Sequence, residues 1–205
     1  MSGLPDAYEI VFDKKRFREV NQLLKQGGDP AVSHARRLVD IVEAAESRET
    51  SAKGIWMYQG VRSRRRIRRA SFLLRQFVRF QAGRPSDRPS SQDVSIELTN
   101  ALETALVSTE DVFIESYCVE ALSSLAWTHP NMVAAQVDVS AVAEAAVDLV
   151  DSPNGGVSRQ VVLYLLAVFS TVARDALQAS DKLYEFLNGT IGSSQSVVQS
   201  LAEYV

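Results

Sequence analysis

A chain of 205 residues makes one large domain or two small ones, and 46% apolar with 23% charged residues is ordinary for a soluble globular protein with a core to bury. One cysteine, Cys118, excludes an internal disulfide and fits a reducing, cytoplasmic setting. The net charge of −3 is unevenly laid out: residues 1–88 hold 19 Lys and Arg against 10 Asp and Glu, and residues 89–205 hold 3 against 15. Such asymmetry points to a nucleic acid, an acidic protein or an anionic membrane as partner of the basic half. The opening "MSGLPDAYEIVFDKKRF" has no basic stretch leading into an apolar core, so it does not read as a signal peptide. The longest apolar run, 161–173, falls short of the roughly 20 residues that cross a bilayer.

Sustained period-2 alternation is missing and helical periodicity recurs, so the predicted fold class is all-α. The first helix is predicted over 5–26, with Asp6 near its start and Ile10, Phe17, Val20 and Leu24 as its apolar stripe. Gly27 and Gly28 stop it. Asp29-Pro30 opens a second helix that carries Leu38, Ile41 and Val42 and fades near Ser47. Residues 48–60 include "KGIWMYQG", bounded by Gly54 and Gly60. They read as a connector or short helix in which Trp56 and Tyr58 fill a core gap. The next helix runs over 61–82. "GRPSDRPSSQ" then predicts a linker at 85–91, between a basic helical region (1–84) and an acidic helical array (92–205). Further helices are predicted at 92–107, 111–128, 139–151, 156–173, 180–188 and 194–205. Asp111 caps the second of these, His129-Pro130 stops it, "SPNGG" interrupts further on, and Asn188-Gly189 ends the helix that starts at 180.

Two stretches of the array repeat each other. "ALVSTEDVFIESYCVEALSSLA" begins at Ala105 and "DLVDSPNGGVSRQVVLYLLAVFS" at Asp148. A shift of 43 residues lays Leu106 on Leu149, Ile114 on Val157, Val119 on Val162, Leu122 on Leu165 and Leu125 on Val168. A third copy starts near Leu187. A period near 40 with two helices per unit is the mark of an α-solenoid. In "LVDSPNGGVSRQVVLYLLAVFS" and its partner stretches, residues 92–205 resemble the HEAT and armadillo-like helical-repeat families. Asp151, Val157 and Arg159 approximate the loop pattern of that group, with Ser158 intervening. The resemblance implies antiparallel helix pairs stacked into one continuous core. A non-repetitive helical bundle is the competing architecture.

No residue pattern points to catalysis. Cys118 lies in an apolar helical pattern and reads as a small buried hydrophobe. His34 and His129 have no Cys or carboxylate at metal-ligand spacing. "QGGDP" lacks the lysine and spacing of a phosphate loop. The pairs Asp148 with Asp151 and Glu110 with Asp111 read as a solvated acidic face. The predictions are therefore no enzyme activity, no cofactor, no metal and no small-molecule substrate.

The stretch "VRSRRRIRRASFLLRQFVRF", 61–80, is the chemical anomaly. At about 100° per residue, Ile67, Ala70, Leu74, Phe77 and Val78 form a core-facing stripe. Arg64, Arg68, Arg75 and Arg79 form a ridge opposite, and Arg62, Arg65, Arg66 and Arg69 a second cluster near the start. These eight arginines are the predicted partner-binding residues. Three partners are open: carboxylates of this chain, another copy or an acidic protein; nucleic-acid phosphates; or an anionic membrane surface. The first is favoured, because the acidic half is tethered to the arginines and competes for them. The expected function is a protein-interaction scaffold, with a nucleic-acid-binding repeat protein as the alternative.

Overall fold

The computed structural model describes residues 14–49, 56–81, 89–109, 111–150, 152, 156–178 and 180–191, with backbone alone at 14–16, 43–49, 56–66, 81, 89–93, 108 and 191. Ten helices and no strand occur among the described residues: α1 Lys14–Gln26, α2 Asp29–Glu49, α3 Trp56–Gln81, α4 Pro89–Ser108, α5 Val112–Thr128, α6 Pro130–Gln136, α7 Val139–Val150, α8 Arg159–Val172, α9 Arg174–Gln178 and α10 Asp181–Ile191. The predicted helical stretches at 5–13 and 194–205 lie outside the described residues.

The helices stack in two layers. α2 packs on α4, α4 on α7 and α7 on α10; α3 packs on α5 and α5 on α8. Within each repeat the layers are joined by the antiparallel pairs α2/α3, α4/α5 and α7/α8, and α1 closes one end against α2 and α3. This is an all-α helical-repeat array. The basic pair α2/α3 takes the same places in the layers as α4/α5. The change of charge sign is therefore not a break in the core, since Leu24, Leu38, Leu74, Leu98, Leu122, Leu165 and Leu183 belong to one cluster of buried side chains. α4 starts at Pro89, inside the segment expected to be a linker, while 82–88 lie outside the described residues.

The 43-residue correspondence holds in the packing. Leu106 and Leu149, Ile114 and Val157, Val119 and Val162, and Leu122 and Leu165 are all buried; Leu125 is buried, and its counterpart Val168 packs against the same core. The repeats contain more than two helices, however. The short helices α6 and α9 precede α7 and α10 in equivalent places, so the unit α6/α7/α8 has three helices where the sequence suggested two, and α9 opens the next in the same way. Pro130 explains the first of them, because proline suits the opening position of a helix that the same residue forbids to continue from behind.

Helix ends follow local chemistry in most places. Gly27 and Gly28 leave α1 with φ of 75° and 82°, a region that glycine enters without strain. Asp111 caps α5, its carboxylate accepting from the backbone N–H of Phe113 at 3.1 Å and of Ile114 at 3.4 Å. Ser158 caps α8 through the N–H of Val161. The loop before α8 passes close over the end of α7: a Cβ on Gly156 would lie 1.6 Å from the Leu149 carbonyl oxygen.

One boundary moves and one expectation fails here. Of the segment read as a connector or short helix, 56–60 is helical and continues into α3 through Gly60. α10 does not end at Asn188-Gly189 but continues to Ile191. Thr190 is buried, and its hydroxyl donates to the Phe186 carbonyl at 2.7 Å. Tertiary packing thus outweighs the roughly 1 kcal/mol that a glycine costs inside a helix.

Candidate interaction surface

The arginine helix α3 lies on its core stripe as the periodicity requires. Ala70, Leu74, Phe77 and Val78 are buried, Ile67 is partly buried, and Leu73 and Ser71 join them. The ridge on its other side is not simply open to water. Arg68 and Arg75 point along the flank that meets α5. Arg68 Nε contacts both carboxylate oxygens of Asp111, at 2.9 and 2.7 Å, and its guanidinium covers the Phe113 ring at 4.7 Å. Arg75 Nη1 donates to Glu120 at 2.8 Å, and its guanidinium sits 5.0 Å from the Phe72 ring and 4.8 Å from the Tyr117 ring. On the α1 flank Arg69 lies over Phe17. Arg79 is exposed. Arg62, Arg64, Arg65 and Arg66 sit on the first half of α3, where only the backbone is described.

Arg68 and Arg75 thus bind carboxylates of the same chain, one repeat further on. A third such pair, Arg36 Nε to Glu97 at 2.9 Å, joins α2 to α4 and was not foreseen. Asp111 does not belong to a solvated acidic face. It is buried, caps α5 and neutralises Arg68 at once. Asp148, by contrast, is exposed and pairs with Lys182 at 2.5 Å. Asp151 and Glu110 lie outside the described residues.

The outer side of α5 carries a stripe that the sequence reading missed: Phe113, Tyr117, Glu120, Ser124 and Trp127, spaced so that they share one face. The signal was legible, since these positions fall out of phase with the buried Ile114, Cys118, Leu122 and Leu125. Trp127 at its end is 68% exposed and meets Tyr164 of α8 edge to face, with ring centroids 6.1 Å apart. Toward α3 the stripe continues through Tyr117 and Phe72 to Phe17.

Charge is sorted between the layers. α3, α5 and α8 carry nine arginines against the two carboxylates Glu115 and Glu120. In the other layer α4, α7 and α10 carry seven carboxylates against Lys182, and α2 adds five carboxylates and three arginines. Two of those acids tie successive repeats together: Glu103 accepts from the Asp138 backbone N–H and Glu144 from the Ser180 hydroxyl, each at 2.6 Å.

Cys118 is fully buried, and burial pushes its thiol up to about 12, beyond nucleophilic use near neutral pH. His34 Nδ1 lies 2.9 Å from the Pro30 carbonyl of its own helix. His129 links α5 to α6, its N–H donating to the Leu125 carbonyl and its carbonyl accepting from the Val133 N–H. Among the described residues no group of three His, Cys, Asp or Glu converges as metal ligands, and no helix is long and apolar enough to cross a membrane. A cavity of about 220 Å³ between α8, α9 and α10 is lined chiefly by Leu166, Leu177, Leu183, Tyr184 and Leu187, with Arg174 at its side.

No protein-family model matches the chain, and the comparison with curated proteins gives no match. Among solved structures the chain is similar to a designed armadillo repeat protein, with 11% identity and a TM-score of 0.43 over 98% of this chain and 97% of that one. The helical-repeat architecture rests on the stacking of the helices described above and not on that likeness.

Proposed function

We propose that the chain is a non-enzymatic scaffold that holds an acidic protein surface on the outer side of the α3–α5–α8 layer. The observation that carries this reading is Trp127, 68% exposed and set against Tyr164 in the layer richest in arginine. Binding energy at protein interfaces concentrates on Trp, Tyr and Arg. Among the described residues Phe113, Trp127 and Tyr164 are three of five large exposed hydrophobics. Arg79 adds an exposed cation on a helix whose sequence holds seven other arginines. Arg68 and Arg75 position the aromatic rings beneath them. An unpaired cysteine inside the core suits a reducing cytoplasm.

A second reading keeps this face and changes its partner. α3 holds eight arginines and no carboxylate, a composition that suits the phosphates of a nucleic acid. Affinity capture from native lysate, with and without nuclease, separates the two. A protein partner is retained after nuclease and lost from the Trp127→Ala variant. Capture that disappears with nuclease supports the nucleic-acid reading, and capture indifferent to Trp127→Ala removes this face from both.

A further inference from the structure

Resting on the protein-scaffold reading, we propose that an acidic surface held by the α3–α5–α8 face is the α4–α7–α10 face of a second copy of this chain. The helices behind the two faces are opposite in charge, with nine arginines and two glutamates in the sequences of α3, α5 and α8 and seven carboxylates and one lysine in those of α4, α7 and α10. They belong to opposite layers of the array. Two helix diameters, each about 10 Å, separate their outer sides, so neither face can neutralise the other within one molecule.

The ion pairs formed inside a copy take up part of this charge. On the acidic side Glu97 meets Arg36, and Asp148 meets Lys182. Glu103 and Glu144 accept hydrogen bonds from neutral groups and keep their charge. Asp181 and Glu185 are exposed on α10. On the cationic side Arg79 is exposed, and four further arginines precede Arg68 on α3.

Charge of this kind steers two copies together and sets their register, since exposed ion pairs add little affinity one by one. Apolar contact supplies the rest, and both faces offer it. Phe113, Trp127 and Tyr164 are exposed residues of α5 and α8, Val107 and Tyr184 of α4 and α10. Because each copy presents one face of each sign, the contact is heterologous. It repeats from copy to copy without closing on itself and gives an open stack.

Sedimentation velocity on the full chain tests this at about 50 mM and about 500 mM salt, where screening lengths differ severalfold. Particle size should grow with protein concentration at low salt and fall to the monomer at high salt. Arg79→Glu with Trp127→Ala disables the cationic face; Tyr184→Ala with Glu185→Lys disables the acidic one. Each double variant alone should stay monomeric, and an equal mixture should form one-to-one pairs that grow no further, because one intact face remains on each partner. Misfolded variants cannot restore each other in this way. A wild-type chain that is monomeric at low salt, a dimer that stops growing, or a mixture that stays monomeric overturns the proposal. Where the wild type is monomeric but a labelled poly-glutamate peptide binds and loses affinity on Trp127→Ala, self-pairing fails while the scaffold reading stands. If only a single-stranded oligonucleotide binds that face, both fall.

Discussion

α3 meets α5 and α7 meets α10 by the same device, an ion pair between adjacent repeats, yet the two seams have little else in common. Arg75 reaches Glu120 with its side chain 16% exposed, lying against the rings of Phe72 and Tyr117. Lys182 reaches Asp148 across open surface, with those side chains 39% and 66% exposed. One seam lies in the layer of arginines and aromatics and the other in the layer of carboxylates. The comparison teaches that an ion pair's weight is set by what surrounds it. Rings displace water from Arg75 and hold it in place, whereas Lys182 stays hydrated and screened.

The largest expected effect tests whether the two seams share one core. Leu122 and Leu165 are fully buried and 43 positions apart in equivalent places. Leu122→Ala and Leu165→Ala should each cost about 2–5 kcal/mol in chemical denaturation, a large share of a typical stability of about 5–15 kcal/mol. A far smaller loss at Leu165 would mean that the α7/α10 end folds apart from the rest.

The seams themselves come next. Arg75→Gln should destabilise by about 1–3 kcal/mol, because a charge-assisted hydrogen bond and two ring contacts go together. Arg75 Nε is buried without a hydrogen-bond partner, which holds the value well below that of a fully satisfied buried pair. Lys182→Gln should cost about 0–1 kcal/mol, and that cost should vanish in high salt while the Arg75 loss persists. Equal losses, or equal salt responses, would break the distinction between the layers.

The smallest effect is a gain. Gly189 lies inside α10, and a Cβ added there meets nothing within 4 Å. Gly189→Ala should raise stability by about 0.5–1 kcal/mol, read as a higher denaturation midpoint at unchanged slope. A loss would show that this turn of α10 needs glycine's freedom, as the sequence reading of Asn188-Gly189 supposed.

Much of the fold was legible because helices are specified locally. The apolar periodicity of 61–80, the cap at Asp111 and the glycine stop at 27–28 each depend on residues within a few positions of one another, and each appears where it was read. The repeat was legible too, since stacked units bury equivalent positions, as Leu122 and Leu165 do. The short helices α6 and α9 were not, because five to seven residues carry too little periodicity to stand out. The continuation of α10 past Asn188 and Gly189 depended on the burial of Thr190, which no local pattern announces.

The sequence by itself determined the all-α class, the 43-residue correspondence and the asymmetry of 19 against 10 charges in one half and 3 against 15 in the other. Only the tertiary structure decided that Arg68 and Arg75 pair with Asp111 and Glu120, 43 and 45 positions away. It also converted a division along the chain into a division between layers, and it set Trp127 against Tyr164. The physical reason is that a helical wheel fixes which side of a helix is apolar, whereas the neighbours that meet its polar flanks are chosen by the stacking of repeats, a long-range outcome that wheel geometry does not contain.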